Sequence, residues 1–280
     1  MRKLLAANFS RLWKDKVFWA GMIGMLVWGV ILAYNKYNEA LTFHIRSTPD
    51  SIVFLYNILI GVLSAVFCSL FIGTEYSDGT IRNKLIVGHK RKAIYLANLI
   101  VCSAASVLMC ISFLAASCTM GTLLLGKFQM TFGAMVICTE ISLIMVIACA
   151  AIFTMISMLI QNRAYASVVC ILGIGALLIW ATFIHAKLDA PEFYPAYSFS
   201  TDGEGGGVAE DDMQIPNPDF LRGDKRKAYE FLLDFLPTGQ AIQIASQSGA
   251  GKWQQPVYSL VILTAAAGAG MTAFERKDIK

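Results

Sequence analysis

Charge is scarce in this chain. Asp, Glu, Lys and Arg make up 15% of its 280 residues, against 56% hydrophobic residues, and the mean hydropathy is +0.59. So little polar surface cannot cover an ordinary soluble core, which excludes a water-soluble globular fold of this length. A lipid solvent accounts for the excess, because a helix crossing about 30 Å of hydrocarbon needs roughly 20 apolar residues. Histidine is scarcer still: His44, His89 and His185 are scattered. No Ser-His-Asp, H-E-x-x-H or paired-carboxylate pattern appears, so the chain reads as no enzyme itself. The seven cysteines, Cys68, Cys102, Cys110, Cys118, Cys138, Cys149 and Cys170, lie in apolar runs without a C-x-x-C pair. They read as small packing residues, with no metal or disulfide role. The net charge of +4 comes from short basic clusters beside apolar runs, which argues for membrane topology and against a nucleic-acid partner.

Two stretches imitate a phosphate-binding loop. Gly121 to Lys127 has the G-x-x-x-x-G-K spacing, but Phe128 replaces the hydroxyl residue that would hold magnesium, and the stretch begins inside an apolar run. Gly249-Ala250-Gly251-Lys252 fails in the same way at Trp253. No cofactor is expected in this chain.

What is present is a series of long apolar runs, which predict an all-α membrane protein with one domain of six spans: 17–34, 52–73, 95–125, 132–159, 165–184 and 257–274. Residues 1–16 place Leu5, Phe9, Leu12 and Trp13 at helical spacing among basic residues, as an interfacial helix does. A cleavable signal peptide would have a shorter apolar core ending at a small-x-small site. Orientation follows from Lys and Arg. Five precede the first span (Arg2, Lys3, Arg11, Lys14, Lys16), five lie in the loop 74–93 (Arg82, Lys84, Lys90, Arg91, Lys92), and Arg163, Arg276, Lys277 and Lys280 share that side. Lys36, Arg46 and Lys127 lie opposite. Both termini are therefore expected in the cytoplasm. The segment 186–256 is then a large external loop, with eleven acidic residues against six basic. Its glycine-rich part, 200–212, reads as flexible. The stretch 225–236 reads as an external helix with Phe231, Leu232, Phe235 and Leu236 on one face, ended by Pro237.

Glu140 is the one acidic residue well inside a span. It must face the bundle or reach water, either as a structural hydrogen bond or in a translocation path, with Asn57 and Asn98 as possible polar partners. Ala266 and Gly270 have the small-x-x-x-small spacing that lets helices approach closely. Their partner is either another span of this chain or a second copy.

The most specific stretch follows the second span: Glu75-Tyr76-Ser77-Asp78-Gly79-Thr80-Ile81-Arg82-Asn83-Lys84-Leu85, then Gly88-His89-Lys90-Arg91. It resembles the permease subunits of bacterial ABC-2 type exporters, closest to the group that exports or protects against peptide antibiotics such as lantibiotics and bacitracin and includes sodium-extrusion permeases. The likeness extends over nearly the whole chain, including Asp234 to Gln240 and the tail from Phe274 to Ile279. It implies a coupling helix in the loop 74–93, docking on a separate ATPase subunit present in two copies, which binds the ATP and Mg. It also implies a second permease subunit, identical or related, in the bacterial cell membrane. Glu75, Gly79, Thr80, Arg82, Asn83 and Lys84 are then the coupling residues. On physical grounds Glu75, Arg82 and Lys84 supply charge, Gly79 a permissive turn or a close approach, and Thr80 a helix cap. A basic loop binding anionic lipid is the plainer alternative. For the whole chain, the alternative is an ATP-independent membrane protein, either an ion-coupled carrier or a membrane anchor and sensor.

Overall fold

The computed structural model describes residues 1–199, 208–218, 220–248 and 252–278. Six helices are long and apolar enough to cross a membrane, and the protein is an all-α membrane protein. Helix α1 (Arg2–Lys14) is the amphipathic start. Leu4, Asn8 and Leu12 are its buried residues, spaced four apart on one stripe. Asp15 breaks the chain there and caps α2 (Lys16–Phe43), its carboxylate accepting from the Val17 and Phe18 amides at 2.8 and 3.0 Å. The short α3 (Asp50–Val53) leads into α4 (Tyr56–Ser77), α5 (Thr80–Ile86) and the unbroken 35-residue α6 (Arg91–Leu125). Helices α7 (Phe132–Leu159) and α8 (Arg163–Asp189) follow, the second capped by Asn162.

Helices α4, α6 and α7 form the inner part of the bundle, while α2, α8 and α11 (Gln254–Arg276) expose most of their surface. Helix α2 packs on α6 and α4, α8 on α4, and α11 on α7 and α6. The small residues of α11 find their partner within the chain. Ala266 and Gly270 face Tyr95 of α6, whose hydroxyl donates to the Ala266 carbonyl at 3.3 Å. We call the end of the bundle carrying the N-terminus the near end and its opposite the far end.

The segment between α8 and α11 departs from expectation in two places. Residues 208–212 are not irregular. They belong to strand β2 (Val208–Pro216), paired antiparallel with β1 (Phe193–Phe199). The aromatic-rich sequence of β1 has high strand propensity and gives the acidic stretch a partner; residues 200–207 lie outside the described residues. Secondly, Pro237 ends α9 (Gly223–Phe235) and also opens a further helix, α10 (Pro237–Ala245), at a position where its missing N–H costs nothing. Helix α10 is inserted among the far ends of α4, α7 and α8, and nearly all its residues are buried.

Candidate functional site

The near-end turn between α4 and α5 is set by Gly79, whose φ of 67° suits glycine. No atom lies within 4 Å of where its Cβ would stand, so the turn conformation, not a close approach, requires it. Thr80 does not cap α5. Its hydroxyl donates back to the Glu75 carbonyl at 2.9 Å, closing the end of α4, while Gly79 holds the N-cap position.

Glu75 is only 1% exposed and is no open surface charge. Its Oε1 accepts from both Arg11 Nη1 of α1 and Lys84 Nζ of α5. Its Oε2 accepts from Asn98 Nδ2 of α6 at 2.8 Å. Asn8 closes the ring, donating to Asn98 Oδ1 at 2.6 Å and accepting from Lys84 Nζ at 3.0 Å. Arg11 also donates to the Phe71 carbonyl at 2.7 Å, with its guanidinium 3.6 Å from the Phe71 ring centroid. One carboxylate thus ties four helices together at the near end.

With Glu75 and Lys84 turned inward, the outward face of α5 consists of Arg82 and Asn83, both exposed. It continues through Ile86 and Val87, 77% and 76% exposed. The last two were not singled out from the sequence. An exposed apolar pair flanked by Arg82 and by Lys90 is the kind of surface a protein partner covers. Beside it lies the C-terminal tail. Lys277 Nζ donates to the Tyr76 hydroxyl at 3.1 Å and the Met158 carbonyl at 3.0 Å. Burial pushes its ammonium down to about 8. Arg91 reaches the carbonyls of Phe274, Glu275 and Lys277.

The three polar residues expected within the spans are not brought together. Asn98 belongs to the Glu75 ring. Asn57 accepts from Ser142, whose hydroxyl also lies 2.7 Å from that of Tyr56, a relay buried between α4 and α7. Glu140 faces out of the bundle, on the stripe of α7 that also exposes Phe132 and Val136.

At the far end, α9 lies against α8, α10 and α11, but its buried residue is Leu233, packed with Ala181 and Ile184. Leu232 joins that cluster at its edge and Leu236 is half-buried. Phe231 is 52% exposed and forms an aromatic group with Phe235 and Tyr258. Below α9, Gln240, Gln243, Gln255 and Ser259 form a buried hydrogen-bonded set. Ser259 donates to Gln240 at 2.7 Å and Gln255 to Gln243 at 3.1 Å. Gln243 and Lys252 both donate to Asp234. His185, bonded to Asp189 at 3.0 Å and shared by Ser246 and Ser248, clasps the end of α8 to the turn after α10. Asp50 clasps α3 to the α6–α7 connection through the Gln129 and Met130 amides.

Among the described residues no group of three His, Cys, Asp or Glu is placed to hold a metal ion. Gly121 lies inside α6, against Pro49, where no phosphate loop can form. Gly249 to Gly251 lie outside the described residues.

Residues 4–195, more than half of the chain, match the family model described as "ABC-2 family transporter protein". No curated protein matches the chain.

Proposed function

The chain belongs to the ABC-2 family of transporters, and from that premise we propose that it is the permease subunit of an ATP-driven exporter in the bacterial cell membrane. Two permease subunits, identical or related, form the translocation path, and a separate ATPase in two copies binds ATP and Mg and supplies the energy. Both chain termini and the α4–α5 turn face the cytoplasm, and the α8–α11 segment faces outward. The substrate is a peptide antibiotic or a similar amphipathic molecule, since the spans carry too few fixed charges for a dedicated ion path.

The observation that carries this reading is the outward face of α5. Arg82, Asn83, Ile86 and Val87 stand free on a helix held rigidly by Glu75. A helix that transmits force between two proteins needs such a fixed base and a complementary tip. Gly79 and Thr80 contribute the turn, and Lys84 the tie to its base. Glu140 supports the paired-subunit part: a carboxylate facing lipid inside a span costs several kcal/mol, and a second subunit lining a wet path removes that cost.

The test is co-purification from cells expressing this chain together with a candidate ABC ATPase. Arg82→Glu with Ile86→Glu should leave insertion intact and reduce ATPase recovery at least about tenfold, since a charge-complementary, apolar contact is lost. Lys84 is unsuitable for this purpose, because its substitution also disrupts the Glu75 ring. Full recovery of the ATPase with the double variant would favour an ATP-independent carrier or anchor.

A further inference from the structure

Helices α4 and α7 run in the same direction and end side by side at the near end, at Ser77 and Leu159. Each end carries carbonyls without an intrahelical donor, and with them the negative pole of its helix. Neither helix has a basic residue in its last turn. Two like poles therefore lie together without a cation of their own to offset them.

The cation is supplied by the residue after α11. Lys277 Nζ donates to the Met158 carbonyl in the last turn of α7 at 3.0 Å and to the Tyr76 hydroxyl in the last turn of α4 at 3.1 Å. It stands 4.5 Å from the centroid of the Tyr76 ring. The Tyr76 hydroxyl donates to the same Met158 carbonyl, so the ammonium, the phenol and the carbonyl close one contact across the seam. Two further contacts hold the tail in place. Arg91, the first residue of α6, donates to the carbonyls of Phe274 and Glu275 at 3.2 and 3.0 Å and to that of Lys277. Gln161, just beyond α7, donates to the Asp278 carbonyl at 3.0 Å.

Tyr76 adjoins Glu75, and the last turn of α4 is gripped on two sides. Glu75 binds α1, α5 and α6 through Arg11, Lys84 and Asn98. Tyr76 binds α7 together with Lys277. At the far end the same α4–α7 seam has a polar tie built entirely within the two helices, the Ser142 hydroxyl with Asn57 and Tyr56. The near-end tie differs because part of it belongs to the non-helical segment after α11, which can leave without unfolding any helix.

We propose that Lys277 is the pin of a strap that holds the near end of α4 against α7 and so fixes the α4–α5 turn relative to α7. When the pin leaves, the turn moves away from α7 together with α1, to which the Glu75 ring still ties it. The strap is a property of this chain by itself and does not require the ATPase reading.

The test is a pair of distance measurements by double electron–electron resonance on the purified full-length chain in nanodiscs. Nitroxide side chains are introduced as non-natural amino acids, so that the native cysteines stay. Labels at Ile86 and Tyr165, both exposed, report the position of α5 against the α7–α8 connection. Labels at Lys14, also exposed, and Ile86 report it against α1. Lys277→Met keeps most of the stem and removes the charge, whereas Lys277→Arg keeps the charge. The Ile86–Tyr165 distribution should be narrow in wild type and in Lys277→Arg. In Lys277→Met it should broaden or shift by about 2–5 Å, the size of a helix displacement at an interface, while the Lys14–Ile86 distribution stays as in wild type. An Ile86–Tyr165 distribution in Lys277→Met that matches wild type would overturn the proposal, because the lysine then holds nothing. An equal change in both label pairs would overturn it as well, since the whole near end has then loosened. So would Lys277→Arg behaving as Lys277→Met, because the charge is then not what closes the seam.

Discussion

Glu75→Gln keeps the shape of the side chain but removes the counter-charge that Arg11 and Lys84 share on one oxygen. Both cations keep part of their surface in solvent, so the expected cost is about 3 kcal/mol, the lower end for breaking a buried pair. Thermal unfolding in a single detergent checks this. Lys84→Met should destabilise wild type but have a much smaller effect in the Glu75→Gln background, because the two residues act through one contact. Additive effects would show that the ring is not a unit. Lys277 provides a pH test. Its ammonium is depressed to about 8 when the tail is docked, against about 10.4 for a free lysine. The undocked tail therefore binds more protons between those values, and docking must strengthen as pH rises through 8 towards 10. A spin label in place of Asp278 should lose mobility over that window, and Lys277→Met should abolish the dependence. The charges of this region were visible in the sequence, but their direction was not. Spacing along α5 separates Arg82 from Lys84, yet nothing in the pattern showed that α1 returns beside the turn to engage Lys84 through Glu75 and Asn8. The available hint was Asn8, a polar residue on the Leu4–Leu12 stripe.

At the scale of elements, helices longer than a span were read from apolar runs, because lipid demands nearly unbroken apolarity from them. Helix α10 escaped because nine residues with three polar side chains resemble a loop when judged by hydropathy. Its burial depends on the glutamines bonding to one another and to Asp234 and Ser259. Pro237 was a true stop for α9 and also a start signal. The following Gly239 is required by contact: a Cβ there would overlap the Leu233 backbone carbonyl. The hydrophobic face of α9 was placed one residue off. Leu233 is buried and Phe231 is exposed in the chain alone, because the helix is held by α8 and α10 on the side that Leu233 faces. Leu233→Ala should therefore destabilise by about 2–4 kcal/mol, and Phe231→Asp by about 0.5 kcal/mol or less. Melting temperatures of the two variants in one detergent decide it; a larger shift for Phe231→Asp would mean that the aromatic group with Phe235 and Tyr258 is the true anchor.

For the whole molecule, composition leads to a membrane protein and the positions of the apolar runs to six spans, since each run of that length has few alternatives. The bundle's internal order was not legible: inner α4, α6 and α7 are no more apolar as a group than exposed α8, because lipid and protein interior reward the same residues. If the chain is an ATP-driven permease, the tip of α5 is the contact through which its ATPase drives it. A photoreactive amino acid in place of Ile86, in cells expressing the chain with its ATPase, tests that contact most directly. A crosslinked product containing both proteins is expected, and it should be absent when the same residue replaces the far-end Phe231. Crosslinking to lipid alone at position 86, or equal capture of the ATPase from both positions, would contradict it.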